Sequence, residues 1–233
     1  MMDRTKGFTP ALGFHVLTPL YDRVVALTTR ERTFKRALLD QARIEPAHQV
    51  LVVGCGTGTL AIAAQRRQPG ARMSGLDADP AVLAIAARKA RLAGAEIAFD
   101  LGRSTVLPYA DERFDRVLSS LFFHHLSWGD KLLTAREMHR VLRPAGELHV
   151  ADWGRAGGLL SRTAFLAVQL LDGFDSTSDN VAGMLPVLFG SVGFRLVEET
   201  CRIATVFGIV SLYRAVRGGA AQRQAGPAKE RLS

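Results

Sequence analysis

The sequence predicts an α/β protein built on a doubly wound, mostly parallel sheet of seven strands whose last two form an antiparallel hairpin. Three observations lead there. Short, continuous apolar runs alternate with segments of helical spacing along most of the chain, the pattern of parallel strands buried on both faces and linked by crossover helices. The first run passes directly into Gly54-Cys55-Gly56-Thr57-Gly58, a turn from strand to helix. The last two runs, residues 194–200 and 203–215, are nearly contiguous, and so short a link must turn back antiparallel, because a parallel crossover needs roughly a dozen residues.

The elements follow in order. Residues 12–41 carry apolar positions at helical spacing, among them Val16, Leu20, Val24 and Leu27, so residues 1–45 form a helical N-terminal unit. Pro46 ends it, and residues 49–53 are the first strand. The glycine cluster leads into a helix through Leu60 and Ala64. A second strand spans 71–76, and Asp79-Pro80 opens the next helix, with the proline at the first helical position, where its missing N–H costs nothing. Strands near 96–101 and 114–119, a helix over 130–142, a turn at Pro144-Ala145-Gly146 and a strand at 147–151 continue the alternation. Two apolar helices, near 159–171 and 180–192, precede the hairpin. The main domain is therefore 46–216, with a helical insertion at 157–192. Residues 217–233 lack periodicity and are expected to be a disordered tail.

Composition narrows the classes. The 233 residues suit one α/β domain with a modest cap, and 48% apolar residues suffice for a large core. No apolar run reaches the roughly 20 residues that cross a bilayer, and the N-terminus has no apolar signal core. The two cysteines, Cys55 and Cys201, form neither a disulfide framework nor a metal-binding CxxC pair, so a reducing cytoplasm and no metal are expected. The formal charge of +8 is scattered along the chain, with no basic block of the kind that marks a nucleic-acid partner. Monomer and homodimer both fit.

The glycine cluster carries the strongest chemical signal. Glycines there let the backbone turn sharply and approach a ligand closely, while the following helix aims free N–H groups into the crevice beyond the strand ends. Asp77 ends the second strand, where a carboxylate can accept both hydroxyls of a ribose. Position 59 is Thr, which departs from G-x-G-x-x-G and argues against a nicotinamide dehydrogenase.

The stretches VLVVGCGTGTLAI, GLDADP, LPYADERFDRVLSSLFFHHL and REMHRVLRPAGELHVADW together resemble the class I S-adenosylmethionine-dependent methyltransferases. The resemblance is closest to the branch of ubiquinone/menaquinone-biosynthesis and other small-molecule methyltransferases, and it covers roughly residues 12–153. It implies a Rossmann-like sheet in the order 3-2-1-4-5-7-6, a helical N-terminal lid and S-adenosylmethionine as cofactor, with S-adenosylhomocysteine as its product. It further implies that Gly54, Gly56 and Gly58, with Thr57, wrap the methionine end, that Asp77 binds the ribose and that Ala78 lies against the adenine. Gly102, Arg103 and Ser104 occupy the adenine-edge position, Ser119 and Ser120 lie under the methionine portion, and Tyr21 belongs to the lid. Two positions depart from the family. Val52 stands where an acidic residue usually holds the cofactor's ammonium group, and Arg103 where Asp is usual. A lost charged partner costs about 1.5–3 kcal/mol, so either cofactor affinity falls or other groups compensate, and a cofactor-binding protein without methyl transfer stays open as a second reading.

For the transfer itself the candidates are His124 and His125, just past the fourth strand, and Asp152, ending the fifth, since both strand ends face the crevice of a parallel sheet. In similar methyltransferases a histidine here works with a carboxylate at the position of Asp152. His149 lies inside a strand and reads as a core residue; Cys55 reads as loop filler. Leu159, Thr163, Leu166 and Leu170 share one helical face, which, if it lines a pocket, makes the substrate a small apolar molecule. A nucleic-acid methyltransferase is the remaining alternative. Against it, the (Asp/Asn)-Pro-Pro-(Tyr/Phe) motif of exocyclic-amine enzymes is replaced by Ser119-Ser120-Leu121-Phe122, and Cys201, expected between the last two strands, is not placed for pyrimidine chemistry.

Overall fold

A computed structural model describes residues 30–155, 179–180, 182–206 and 208–218. Its elements are α1 (Glu31–Ala42), β1 (Gln49–Val53), α2 (Thr59–Arg67), β2 (Arg72–Asp77), α3 (Pro80–Leu92), β3 (Ile97–Leu101), β4 (Phe114–Ser120), a single 3₁₀ turn (Phe123–His125), α4 (Trp128–Val141), β5 (Leu142–Trp153), α5 (Leu185–Ser191), β6 (Phe194–Thr205) and β7 (Gly208–Arg217). They form one seven-stranded sheet in the order β3-β2-β1-β4-β5-β7-β6. β7 runs antiparallel to both β5 and β6, and the other pairs are parallel. The expected topology is therefore the observed one. The expected helix near 159–171, the part of the N-terminal unit before residue 30, Tyr21 and the tail beyond residue 218 lie outside the described residues.

The alternation of side chains along each strand divides the core in two. Val50 and Val52 of β1 join Leu118, Trp153 and Leu212 beneath Phe34 and Leu38 of α1 and Leu60 of α2. Leu51 and Val53 face the other way, with Val117, Val150 and Tyr213, beneath Met138 and Val141 of α4 and Phe189 of α5. Local chemistry sets the helix starts. Asp79 caps α3 by accepting the N–H groups of Ala81 and Val82 at 2.8 and 3.4 Å, with Pro80 following it. Ser127 caps α4 by accepting the Asp130 N–H at 3.2 Å. Arg140 of α4 donates to the carbonyls of Tyr109 and Leu107 at 2.8 and 3.1 Å, which pins the loop before β4.

Three boundaries differ from the sequence reading. The hairpin turns after Thr205, so Cys201 pairs with Leu212 inside β6 instead of lying between strands. β6 is an edge strand and exposes most of both faces, which removes the alternation that would have marked its length. The turn expected at 144–146 is absorbed into β5, which begins at Leu142 with an irregular register against β4 and a left-handed Ala145 (φ 63°). The helix expected over 180–192 is reduced to α5 because Gly183 turns left-handed (φ 76°) ahead of it.

Phe189 is fully buried and meets the rings of Phe123, Phe194 and Tyr213 edge-on. Phe189→Ala should lower unfolding stability by about 3–5 kcal/mol in a denaturant titration, whereas Leu196→Ala, at a position 65% exposed, should change it by no more than about 0.5 kcal/mol.

Candidate active site

The carboxyl ends of β1, β2, β4 and β5 share one edge of the sheet, and the sequence motifs converge there. Gly54, Gly56 and Gly58 all have positive φ, at 63°, 53° and 76°. A Cβ on Gly54 would lie 2.3 Å from the Phe122 ring, so the first glycine is required by packing; a Cβ on Gly56 would project into open space, where backbone faces the crevice. Gly58 precedes α2 without any side-chain cap, so the first-turn N–H groups of that helix point to the same edge with no side chain of its cap to take them. The Gly56 N–H donates to Asp77 Oδ2 at 2.9 Å and the Asp79 N–H to Asp77 Oδ1 at 3.1 Å. A carboxylate offers about four lone-pair sites, so two acceptor positions are left on Asp77 for the paired hydroxyls of a ribose. An open glycine turn, an uncapped helix and a half-satisfied carboxylate fit an adenosyl ligand.

The other cofactor candidates divide by where their side chains go. Thr57 Oγ accepts from Lys89 Nζ at 2.9 Å, and Lys89 also reaches Thr59 at 3.0 Å, so Thr57 offers the crevice its backbone. Ser119 is fully buried and donates to the Val53 carbonyl at 3.0 Å, bracing β4 against β1 beneath the glycine turn. Ser104 is buried, with its hydroxyl 2.8 Å from that of Thr134, turned into the protein. Gly102 donates its N–H to the Asp77 carbonyl at 2.9 Å, which holds the adenine-edge loop beside Asp77; Arg103 is exposed and bridges to Val106 there. Ala78 and Ser120 are half-buried at the ends of their strands. Val52 is 1% exposed and packs in the first core cluster, so a carboxylate at that position would begin from an apolar site.

At the β4–β5 end of the edge, Asp152 is fully buried and collects donors. Its Oδ2 accepts the N–H groups of Phe122 and Phe123 at 2.9 and 2.7 Å. Its Oδ1 accepts from the Trp153 N–H at 2.8 Å, from Asn180 Nδ2 at 3.0 Å and from His124 Nδ1 at 2.8 Å. Burial alone would raise the carboxyl's pKa, but the charge and hydrogen bond of His124, followed by the backbone N–H groups, outweigh it and hold Asp152 below the usual carboxylate range. An ionised carboxylate only accepts, so Nδ1 of His124 carries the proton and Nε2 is the basic nitrogen. The His125 ring lies against His124, with centroids 3.9 Å apart. Desolvation first, then the charge of His124, push the His125 imidazole down to about 3; solvent along the exposed edge of the ring offsets part of that desolvation.

The remaining candidates are structural. His149 is fully buried between Gln41 (2.9 Å) and Glu147 (3.1 Å), as a core histidine should be. Burial and Asp77 push the Cys55 thiol up to about 12, which leaves it inert as a nucleophile. Tyr109 donates its hydroxyl to Asp100 at 2.8 Å, and its own burial holds it far above the usual phenol range. Among the described residues no cluster of three or more His, Cys, Asp or Glu side chains could hold a metal. A cavity of about 440 Å³ lies away from this edge, between α1 and the β6–β7 hairpin, lined among others by Gln41, Glu147, Thr200 and Arg214; Arg214 and Glu147 pair with each other there at 2.6 Å, and the lining presents no activated nucleophile. Two buried residues beside Asp152 escaped the sequence reading: Asn180, and Lys131, whose Nζ lies 3.7 Å from Asp179 Oδ2.

Comparison with known proteins agrees with this geometry. The profile described as "Methyltransferase domain" matches residues 50–146. The demethylmenaquinone methyltransferase of Deinococcus radiodurans is 31% identical over 222 residues, covering 93% of this chain and 91% of the relative. That of Thermus thermophilus is 34% identical over 161 residues, covering 66% and 72%. The chain belongs to the class I S-adenosylmethionine-dependent methyltransferases, in their ubiquinone/menaquinone-biosynthesis-like branch. Among solved structures, phosphoethanolamine N-methyltransferase 2 of Haemonchus contortus with S-adenosylhomocysteine shares the fold at 15% identity, with a TM-score of 0.64 over 80% of this chain and 52% of that one.

For a methyltransferase built this way, Asp77 both stiffens the glycine turn and supplies the free acceptors. Asp77→Ala should therefore weaken S-adenosylhomocysteine binding by about 1.5–3 kcal/mol in titration calorimetry, with the fold retained; unchanged binding would show that the ribose is held elsewhere.

Proposed function

We propose that this methyltransferase moves a methyl group to a small apolar acceptor that loses a proton during the reaction, a substituted quinol being the acceptor class that best fits. Two curated relatives of this chain are named demethylmenaquinone methyltransferases. The observation that carries the reading is the His124–Asp152 pair at the carboxyl edge, in the same 3₁₀ turn as Phe123. The cofactor supplies a methyl group activated on a sulfonium. The glycine turn and Asp77 orient it, with Gly102, Ala78 and the backbone of Thr57 completing the adenosyl cradle and Ser119 and Ser120 supporting it from below. Of the expected lid over residues 1–45, the part before α1, with Tyr21, would cover the site, since α1 itself packs on the sheet. Arg30, at the start of α1, donates to the Ala204 carbonyl at 3.4 Å, so α1 begins near the hairpin end of that edge. Of the insertion over residues 157–192, the part before α5 would roof the acceptor, since α5 packs in the second core cluster.

His124 takes the acceptor's hydroxyl proton on Nε2 as the acceptor's electron pair forms its new bond to the methyl carbon and the bond to sulfur breaks. Asp152 keeps the ring in the required tautomer and stabilises the imidazolium that results; it touches neither substrate nor solvent and is a positioning residue. His125 is the weaker candidate, because the carboxylate of Asp152 bonds His124 and leaves the second ring without that partner. Exclusion of water and alignment at near-attack distance supply the rest of the rate. Both cysteines are free thiols, in keeping with a cytoplasmic enzyme, and no helix among the described residues is long and apolar enough to cross a membrane.

The test is turnover of a reduced, prenylated demethylquinone with labelled methyl donor, beside a polar phenol and bulk tRNA. We expect methylation of the quinol above both controls. His124→Ala should cut that turnover by about 10²–10⁴-fold with S-adenosylhomocysteine affinity nearly intact, and His125→Ala should change it little. Methylation of tRNA alone would contradict the acceptor class, and normal turnover in His124→Ala would contradict the base.

A further inference from the structure

Asn180 occupies a position that packing alone does not explain. It is fully buried, in the short stretch before α5, and the Gly183 N–H donates to its backbone carbonyl at 2.9 Å. Its Nδ2 donates to Asp152 Oδ1 at 3.0 Å, the same oxygen that receives His124 Nδ1 at 2.8 Å. A carboxylate oxygen can only accept, so the amide must present its nitrogen there and turn its own oxygen away. Among the described residues that oxygen is buried without a hydrogen-bond partner. An unpaired buried carbonyl is unfavourable, and an apolar residue of similar size would avoid it. What an apolar residue would lose is one N–H dipole aimed at Asp152, so that dipole is what the position supplies.

We propose that Asn180 is a positioning residue of the His124–Asp152 pair, holding Oδ1 so that the imidazole proton stays on Nδ1 and lowering the basicity of the ring. The amide's positive end lies against the oxygen that faces His124, so it opposes a positive charge on the imidazole; removing it favours the imidazolium. Among the described residues, the other groups facing Asp152 are His124 and His125 from the 3₁₀ turn, Lys131 from α4 with its partner Asp179, and Ser211 and Tyr213 from β7. None of them is itself altered in an Asn180 variant, so a shift in His124 common to two such variants is read as the loss of the amide. Asn180 also stands 28 residues from Asp152 in sequence, next to α5. This role for Asn180 rests on the reading of His124 as the base.

The experiment is a pH titration of the full chain carrying isotope-labelled histidine, followed by NMR of the imidazole nitrogens, with the His124 signals assigned from a His124→Gln variant. In the unmodified chain the neutral His124 ring should be almost wholly in the Nδ1–H form. In Asn180→Leu the His124 midpoint should move upward and the second tautomer should become visible. In Asn180→Ala, which removes the amide without adding bulk or charge, the midpoint should move in the same direction. Should Asn180→Leu fail to fold, the smaller Asn180→Ala is read alone. An unchanged or lowered midpoint in a folded variant overturns the proposal and leaves Asn180 a packing residue. The readout requires no acceptor, so a His124 that responds to Asn180 yet proves dispensable for turnover would refute the base assignment and leave the role of Asn180 standing.

Discussion

A buried carboxylate survives only when donors surround it, and in this protein the donors that converge on Asp152 are the functional end of the sheet. Two backbone N–H groups come from the turn after β4, one from its own strand, one side chain from the stretch before α5 and one from His124. Removing the side chain would leave all five without that acceptor. Removing one donor would leave a charge short of the partners that offset its burial. The chain therefore cannot lose the ordering of this corner and keep its core, because the same turn sets Phe123 against Phe189 in the second core cluster. Stability and orientation of the His124 imidazole are one constraint.

The cofactor half of the edge is organised differently. Its geometry comes from backbone: three glycines in left-handed conformation, a helix start with no side-chain cap and a carboxylate that splits its acceptors between the loop and the open crevice. Side chains brace it from outside. Lys89 ties Thr57 to Thr59 across the mouth of α2, and Ser119 ties β4 to the last carbonyl of β1. A backbone cradle of this kind depends little on side-chain identity, which explains why the chain keeps the family architecture although Val52 replaces the usual acid.

This division also explains what could be read from the sequence. The parallel strands were legible because burial on both faces writes a continuous apolar run, as in Val50–Val53, all buried. The glycine turn was legible because only glycine tolerates such φ values next to Phe122. His124 and Asp152 could be nominated because strand ends in a parallel sheet face one edge, although their direct contact across 28 residues had no local signal. Other features were illegible for stated reasons. The hairpin tip lies five residues beyond its expected place, after Thr205 instead of Thr200, since Cys201 and Arg202 are exposed in a strand that alternates poorly. The inward turn of the Ser104 hydroxyl depends on Thr134, and the buried amide of Asn180 depends on Asp152. Neither partner is near in sequence, and an Asn or Ser in a polar stretch reads as surface until the fold brings its acceptor to it.

The central claim is that one buried carboxylate presents an imidazole to the cofactor crevice of a methyltransferase. A crystal structure of the complex with S-adenosylhomocysteine tests it most directly. The account predicts the sulfur above the glycine turn, the ribose hydroxyls on Asp77 and His124 still bonded through Nδ1 to a fully buried Asp152, with Nε2 toward the space beyond the sulfur. A sulfur placed away from the β4–β5 end of the edge, or an Asp152 that has released His124 in the complex, would contradict it.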